Sequence, residues 1–390
     1  MRIAVFFDKF NQNHETKDPG QIVMGLIDLG MQSEMITIDK PALRVGNTSI
    51  PVRLLSKEQA ADVEYWRSVP YDVIIAYTRL YSEIASTLKE AGKTVLVKAD
   101  TDGRRIFPVY PRDMTYYTYK KATEKVKIFY KRLKRRLEGQ RRAKQLAEHI
   151  RLADGVVVES PQACANLSYI LSYWEMPELI KKIFVIPNPV SNSFASISLP
   201  VKNKLIVAVG EWDGRVGTSY IKNTDTMVNV LCRFLILRPD YEAVVIGRGE
   251  AIVRKFAERW TSHHKINLHI TGFIPNSEVA QYLEKAQVLF MPSLYESFGI
   301  AAAEGLCKGC SLVGSPIESF YFLAKGGSTG TLATNFTEEA YLGALSADIC
   351  KWERGRYSPE EISSLWYSTC NRKAIAEDFL RVIDELRMAT

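Results

Sequence analysis

Glu296 and Glu304 stand eight positions apart in the stretch Met291-Pro292-Ser293-Leu294-Tyr295-Glu296-Ser297-Phe298-Gly299-Ile300-Ala301-Ala302-Ala303-Glu304-Gly305. A carboxylate only accepts hydrogen bonds, so two of them flanking an anion site suit a ligand with hydroxyls at both ends and negative charge between. The apolar run Val288-Leu289-Phe290 predicts a short buried strand, and Ile300 to Leu306 predicts the start of a helix. Glu296 then lies in the strand-to-helix loop and Glu304 about one turn inside the helix. The amides of Phe298, Gly299 and Ile300 would point outward at a helix N-terminus, where anions bind. Gly299 lets the backbone approach a ligand closely. A diphosphate between two polyols, as in a nucleotide sugar, has this chemistry. Taken alone, the two acids also read as a solvated loop Glu and a Glu in an N-terminal helical turn stabilised by the helix dipole.

The elements that would position this stretch repeat along the second half. Lys204 to Gly210 is an apolar run ending in Gly, a buried parallel strand by pattern. Ala243 to Gly249 is a second strand ending in a glycine loop, and Leu268 to Pro275 a third, with Asn276-Ser277-Glu278 expected to cap a helix through Lys285. Strand, loop and helix alternate, which predicts a parallel sheet covered on both faces. Ligands of such sheets bind at the carboxyl ends of the strands, where the loops at Gly210, Gly247, Gly272 and Glu296 would gather.

Four such segments in this order, with Glu296 and Glu304, resemble the E-x7-E signature and flanking motifs of retaining GT-B glycosyltransferases of family 4. The resemblance covers most of the C-terminal half. It implies an α/β fold of two Rossmann-like, doubly wound parallel-sheet domains facing across a cleft. It assigns the ribose hydroxyls to Glu304, the donor sugar to Glu296 and the donor diphosphate to Lys222, with Gly210, Ser297, Phe298, Gly299 and Ile300 as further donor-binding residues. Relatives commonly place Arg directly after the first Gly, but Glu211 stands here; Arg215, on a longer loop, is the nearest substitute or else a solvated charge. Arg248, in a Gly-x-Gly fragment, is a second-rank donor contact. Phe273 and Ile274 occupy the segment whose main chain meets the nucleobase in relatives, though Phe273 also reads as ordinary core.

The first half carries the same architecture with weaker signals. Strands are expected at Met1–Phe7, Ser33–Ile38, Tyr71–Tyr77, Thr94–Lys98, Asp154–Glu159 and Ile183–Ile186. Ser160-Pro161 reads as a helix start, and Pro187-Asn188-Pro189 as a stiff connection. The expected organisation is an acceptor-side domain over residues 1–190, a linker over 191–203, and a nucleotide-sugar-binding domain over 204–371. A helix over 372–390 would cross back to the first domain, as in GT-B relatives. Many relatives carry Gly-Gly in the first loop and a later His; here the first loop has only Gly20 near its helix. Lys98-Ala99-Asp100-Thr101-Asp102-Gly103 stands at the fourth strand end, so Asp102 is a catalytic or acceptor-side choice, against a plain Asx-type turn before Gly103. The D-x-D spelling also suits a divalent metal in the other major glycosyltransferase fold, which the E-x7-E half argues against.

Charge is unevenly spread. Residues 120–151 hold 13 Lys or Arg and 3 Glu, while the whole 390-residue chain carries +7. Val126, Phe129, Leu133 and Leu137 recur at helical spacing inside it, with Tyr116, Tyr117, Tyr119 and Tyr130 nearby. A basic helical segment over 116–151 reads as a membrane-surface element, with Lys131, Arg132, Lys134, Arg135 and Arg136 as the contacts. The alternative is a helix whose apolar stripe packs on its own domain. No nucleic-acid motif accompanies the charge. No run of 18 apolar residues and no signal-peptide pattern occurs. The six Cys are scattered, and Cys307-Lys308-Gly309-Cys310 reads as small buried residues at a helix end.

These observations describe a cytoplasmic hexosyltransferase, peripheral at the inner face of a membrane. It would use a UDP- or GDP-sugar and a glycan or lipid-linked acceptor, with no cofactor and no metal, because amides and basic side chains neutralise the diphosphate. A non-catalytic nucleotide-sugar-binding subunit of a membrane glycosylation complex is the alternative.

Overall fold

The structure is a computed structural model that describes the chain apart from residues 9, 12–13, 39–47, 78–83, 101–102, 104–138, 196–199, 213–220 and 389–390. It divides into two compact units, Met1–Val190 with Asn371–Thr390, and Ser191–Cys370.

In the first unit seven strands lie in the order β3-β2-β1-β4-β5-β6-β7, with β1 Arg2–Phe6, β2 Gln32–Ile38, β3 Val52–Leu55, β4 Val73–Tyr77, β5 Thr94–Lys98, β6 Gly155–Val158 and β7 Ile183–Val185. Every pairing is parallel. The central strands are continuous apolar runs because helices cover both faces. One core gathers Trp66, Leu88, Leu146, Ile150 and Leu167; the other gathers Ile22, Leu26, Ile375, Phe379 and Ile383. The second core shows why the chain's last helix, Arg372–Met388, belongs to this unit: its buried stripe completes the face opened by the helix Asp18–Asp28. The two helices cross so closely that a Cβ on Gly25 would stand 2.1 Å from the Arg372 carbonyl oxygen. Arg372 Nε also meets Asp28 Oδ2 at 2.6 Å.

The second unit is a six-stranded parallel sheet in the order β10-β9-β8-β11-β12-β13: β8 Asn203–Val209, β9 Glu242–Ile246, β10 Leu268–Gly272, β11 Ala286–Met291, β12 Ser311–Gly314 and β13 Gly330–Leu332. Chain order reverses between β8 and β11, so the loops after these strands diverge and leave a crevice at their carboxyl ends. One local expectation changes. Asn276 is the first residue of the helix Asn276–Lys285 rather than its cap; extended Pro275 holds that place, and its carbonyl accepts from the amides of Glu278 and Val279.

Charge gathers at the carboxyl end of the first sheet. Lys98, last in β5, and Glu159, just past β6, form an ion pair with both side chains fully buried. Tyr77 ends β4 and is 7% exposed. Asp18 stands in the first turn of its helix beside them, leaving one carboxylate more than Lys98 neutralises. Burial pushes the Asp18 carboxyl up to about 7, the Asp100 charge adds to this, and Lys98 and the Tyr77 hydroxyl oppose it. The ordinary value for Asp is 3.8, so the folded chain holds this proton more tightly than the unfolded chain does. Ionisation of Asp18 therefore opposes folding, and its cost grows from about pH 4 and levels off above pH 7. Between pH 5 and pH 8 the loss is at most about 3 kcal/mol. Asp18→Asn removes this dependence. Melting curves should show the variant gaining on wild type as pH rises from 5 to 8; a constant difference in Tm across that range contradicts the assignment.

Candidate functional site at the carboxyl end of the second sheet

Three glycine loops form the floor. The Gly210 amide donates to the Ile246 carbonyl at 3.1 Å, and the Gly247 amide to the Gly272 carbonyl at 2.8 Å. Gly247 has φ +128, and a Cβ there would sit 1.7 Å from the Gly210 oxygen, so only glycine lets these backbones run side by side. Trp212 locks the loop after β8: its amide donates to the Arg248 carbonyl at 2.7 Å and its indole N–H to the Ile246 carbonyl at 3.0 Å. The ring is 2% exposed and lies under Gly210, which takes no side chain without meeting it.

The loop from Pro292 to Gly299 forms the opposite wall. Phe298 is fully buried, with its ring 6.2 Å from Phe322, so it anchors the loop through its side chain and leaves its backbone for the site. Gly299 has φ 91 and ψ 61, the left-handed turn that starts the helix Ile300–Cys307. Its carbonyl accepts from Ala302 and Ala303, so the Ile300 and Ala301 amides precede the helical ladder and form its electropositive end. Ala302, Ala303, Gly305, Leu306 and Cys307 are buried, whereas Ile300, Ala301 and Glu304 keep exposure. Glu304 thus shares the open face of the helix with its first two residues.

Lys222 reaches this loop from the turn before the helix Thr224–Leu237. The Leu294 amide donates to the Ile221 carbonyl at 2.7 Å, which stitches the two segments together. One residue on, Lys222 Nζ lies 2.5 Å from Glu296 Oε1, with 23% and 14% of the two side chains exposed. Asn223 takes a left-handed conformation, φ 55, and turns the chain from Lys222 into the helix. A cation, a helix N-terminus and two carboxylates, Glu296 and Glu304, therefore stand on one loop-and-helix wall.

Phe273 is not core. It is 66% exposed just past β10, and the Arg248 guanidinium lies over its ring at 5.0 Å. The pair offers a flat, cationic surface beside the glycine loops, suited to stacking against an aromatic base. Ile274 keeps partial exposure next to it, as does Ser297 beside Glu296. Asp102, Arg215, Lys131, Arg132, Lys134, Arg135 and Arg136 lie outside the described residues. Of the Asp100-Thr101-Asp102 triplet only Asp100 is described, exposed and with φ 43. Cys307 and Cys310 are fully buried, and burial pushes both thiols up, which suits packing rather than chemistry. Cys310 Sγ donates to the Leu283 carbonyl at 3.0 Å.

Comparison with known proteins fits this geometry. Residues 192–353 match the profile of glycosyl transferases group 1. The chain is 29% identical over 167 residues to the phosphatidyl-myo-inositol mannosyltransferase of Mycobacterium tuberculosis, an alignment that spans 41% of this chain and 42% of that protein. A glycosyltransferase from Rickettsia africae shares the fold with a TM-score of 0.70 at 13% identity, over 100% of this chain and 99% of that one. Anabaena Alr3699/HepE in complex with UDP does so with a TM-score of 0.67 at 14% identity, over 99% of this chain and 100% of that one. The fold is GT-B.

Proposed function

We propose that this chain, whose residues 192–353 match the profile of glycosyl transferases group 1, is a retaining glycosyltransferase. It moves a hexosyl group from a UDP- or GDP-linked donor to a hydroxyl of a lipid- or glycan-linked acceptor. The observation that carries the reading is Lys222 held at 2.5 Å from Glu296, on the loop that opens the helix bearing Glu304. The Phe298 to Ile300 amides and Lys222 would take the donor diphosphate, Glu304 the ribose, Glu296 the sugar, and the Arg248–Phe273 surface the base. Negative charge grows on the diphosphate as the sugar leaves, so donors aimed at it stabilise the transition state more than the ground state. Retention follows if the acceptor hydroxyl enters on the face the diphosphate vacates and passes its proton to that phosphate.

The mycobacterial relative's name includes a phosphatidyl-inositol acceptor, and the alignment covers less than half of it. Among the described residues no helix is long and apolar enough to cross a membrane. The basic stretch over 120–138 would supply a peripheral contact with an anionic, cytoplasmic leaflet.

Purified protein incubated with a panel of UDP- and GDP-sugars should release free nucleoside diphosphate slowly, with one base and one sugar preferred. Nucleotide binding without release from any donor would instead indicate a non-catalytic nucleotide-sugar-binding subunit. No binding at all would overturn the reading.

A further inference from the structure

We propose that Glu296 discriminates donor from spent nucleotide by competing with the diphosphate for Lys222. The inference deepens the donor-site reading above and rests on it. The 2.5 Å contact is not a loose surface pair: both side chains are largely shielded, and the Leu294–Ile221 backbone hydrogen bond holds their two segments together. Lys222 is thus committed to a carboxylate.

Lys222 carries one charge and cannot serve Glu296 and a diphosphate equally. A diphosphate that takes the ammonium leaves the Glu296 carboxylate without its cation and beside a new anion. What happens next depends on the ligand. A nucleotide sugar brings hydroxyls together with its diphosphate, and hydroxyls donate to a carboxylate, which is all a carboxylate can accept. A free nucleoside diphosphate brings only its ribose hydroxyls, at the end that Glu304 would hold, so Glu296 gains no hydroxyl in exchange for Lys222 in a largely shielded place, which is costly. Glu296 therefore penalises the spent nucleotide more than the donor. Once the sugar has been transferred, the carboxylate retakes Lys222 and loosens the diphosphate. Glu296 acts in selection and release as well as in contact with the sugar.

Calorimetry with UDP, GDP, UDP-glucose and GDP-mannose tests this on wild type, Glu296→Gln, Lys222→Ala and the double variant. Gln keeps the shape of Glu, removes its charge and turns one acceptor oxygen into an NH2 donor. Glu296→Gln should bind the free diphosphate about fivefold to tenfold tighter than wild type, as expected when a charged competitor is withdrawn. It should bind the matching nucleotide sugar no tighter. In the Lys222→Ala background, where there is no cation to compete for and only the direct repulsion between Glu296 and the diphosphate is left, Glu296→Gln should tighten free diphosphate clearly less than it does when Lys222 is present. Unchanged or weaker diphosphate binding by Glu296→Gln overturns the proposal, and so does a gain of the same size without Lys222. If wild type binds none of the four probes, the donor-site reading falls and takes this inference with it. If wild type binds but the cycle shows no coupling, the donor site stands and only the competition is lost.

Discussion

Glu304→Ala should weaken the binding of UDP or GDP, whichever is native, by between about tenfold and about a hundredfold. The side chain lies on the one face of the helix Ile300–Cys307 that keeps exposure, one turn above the amides that open that helix. In the resembling family the residue at this place holds the ribose hydroxyls, and ribose is common to donor and spent nucleotide. The loss should therefore appear equally for both ligands. Removing a charged partner from a hydrogen bond costs about 1.5–3 kcal/mol, which is the range just given. The helix itself should survive, because its packing comes from Ala302, Ala303, Gly305 and Leu306 on the buried side. Calorimetry of wild type and variant decides the matter: equal affinity removes Glu304 from the donor site. The contrast with Glu296 is informative, since Glu296→Gln is expected to tighten one of the two ligands and Glu304→Ala to weaken both.

The sequence announced the donor wall because that wall is local. The strand Ala286–Met291, the turn at Gly299 and the helix carrying Glu304 lie within about twenty residues, and each leaves its own mark: an apolar run, a glycine, a small-residue helix. The contact that gives the wall its chemistry was not legible. Lys222 and Glu296 are 74 positions apart, and they meet only because β8 pairs with β11 across the reversal of strand order. The buried Lys98–Glu159 pair was hidden for the same reason; a lysine ending an apolar strand reads as a solvated tip until the neighbouring strand brings a glutamate to it. Short strands escaped too. β12 and β13 have four and three residues, too few for any period to emerge, and β3 is a four-residue edge strand. Phe273 was ambiguous in the sequence because exposure, not residue type, separates a core ring from a stacking surface.

Replacing Lys131, Arg132, Lys134, Arg135 and Arg136 together with Ser should reduce binding to phosphatidylserine-containing vesicles by at least about a hundredfold. The described end of the basic segment narrows where a membrane contact can lie. In the helix Gly139–Leu152, Ala143, Leu146, Ala147 and Ile150 are buried in the core of the first unit, so that apolar stripe is already used. Arg141 and Lys144 point away from it, exposed. For this helix the reading in which the stripe packs on its own domain holds. The second stripe, Val126, Phe129, Leu133 and Leu137, precedes it in the densest run of charge, so the membrane reading falls on that stretch. Each basic side chain near an anionic surface contributes roughly 1 kcal/mol, and salt screens part of it. Five removed charges leave at least about two orders of magnitude after that screening. Wild type should pellet with anionic vesicles, ignore neutral phosphatidylcholine vesicles, and release as salt is raised. The five-residue variant should stay in the supernatant while binding UDP or GDP as wild type does, because the donor wall is built wholly within the second unit. If the variant pellets like wild type, these side chains are not the membrane contact. If it loses nucleotide binding as well, the stretch supports the fold, and the charge has a structural task in place of an interfacial one.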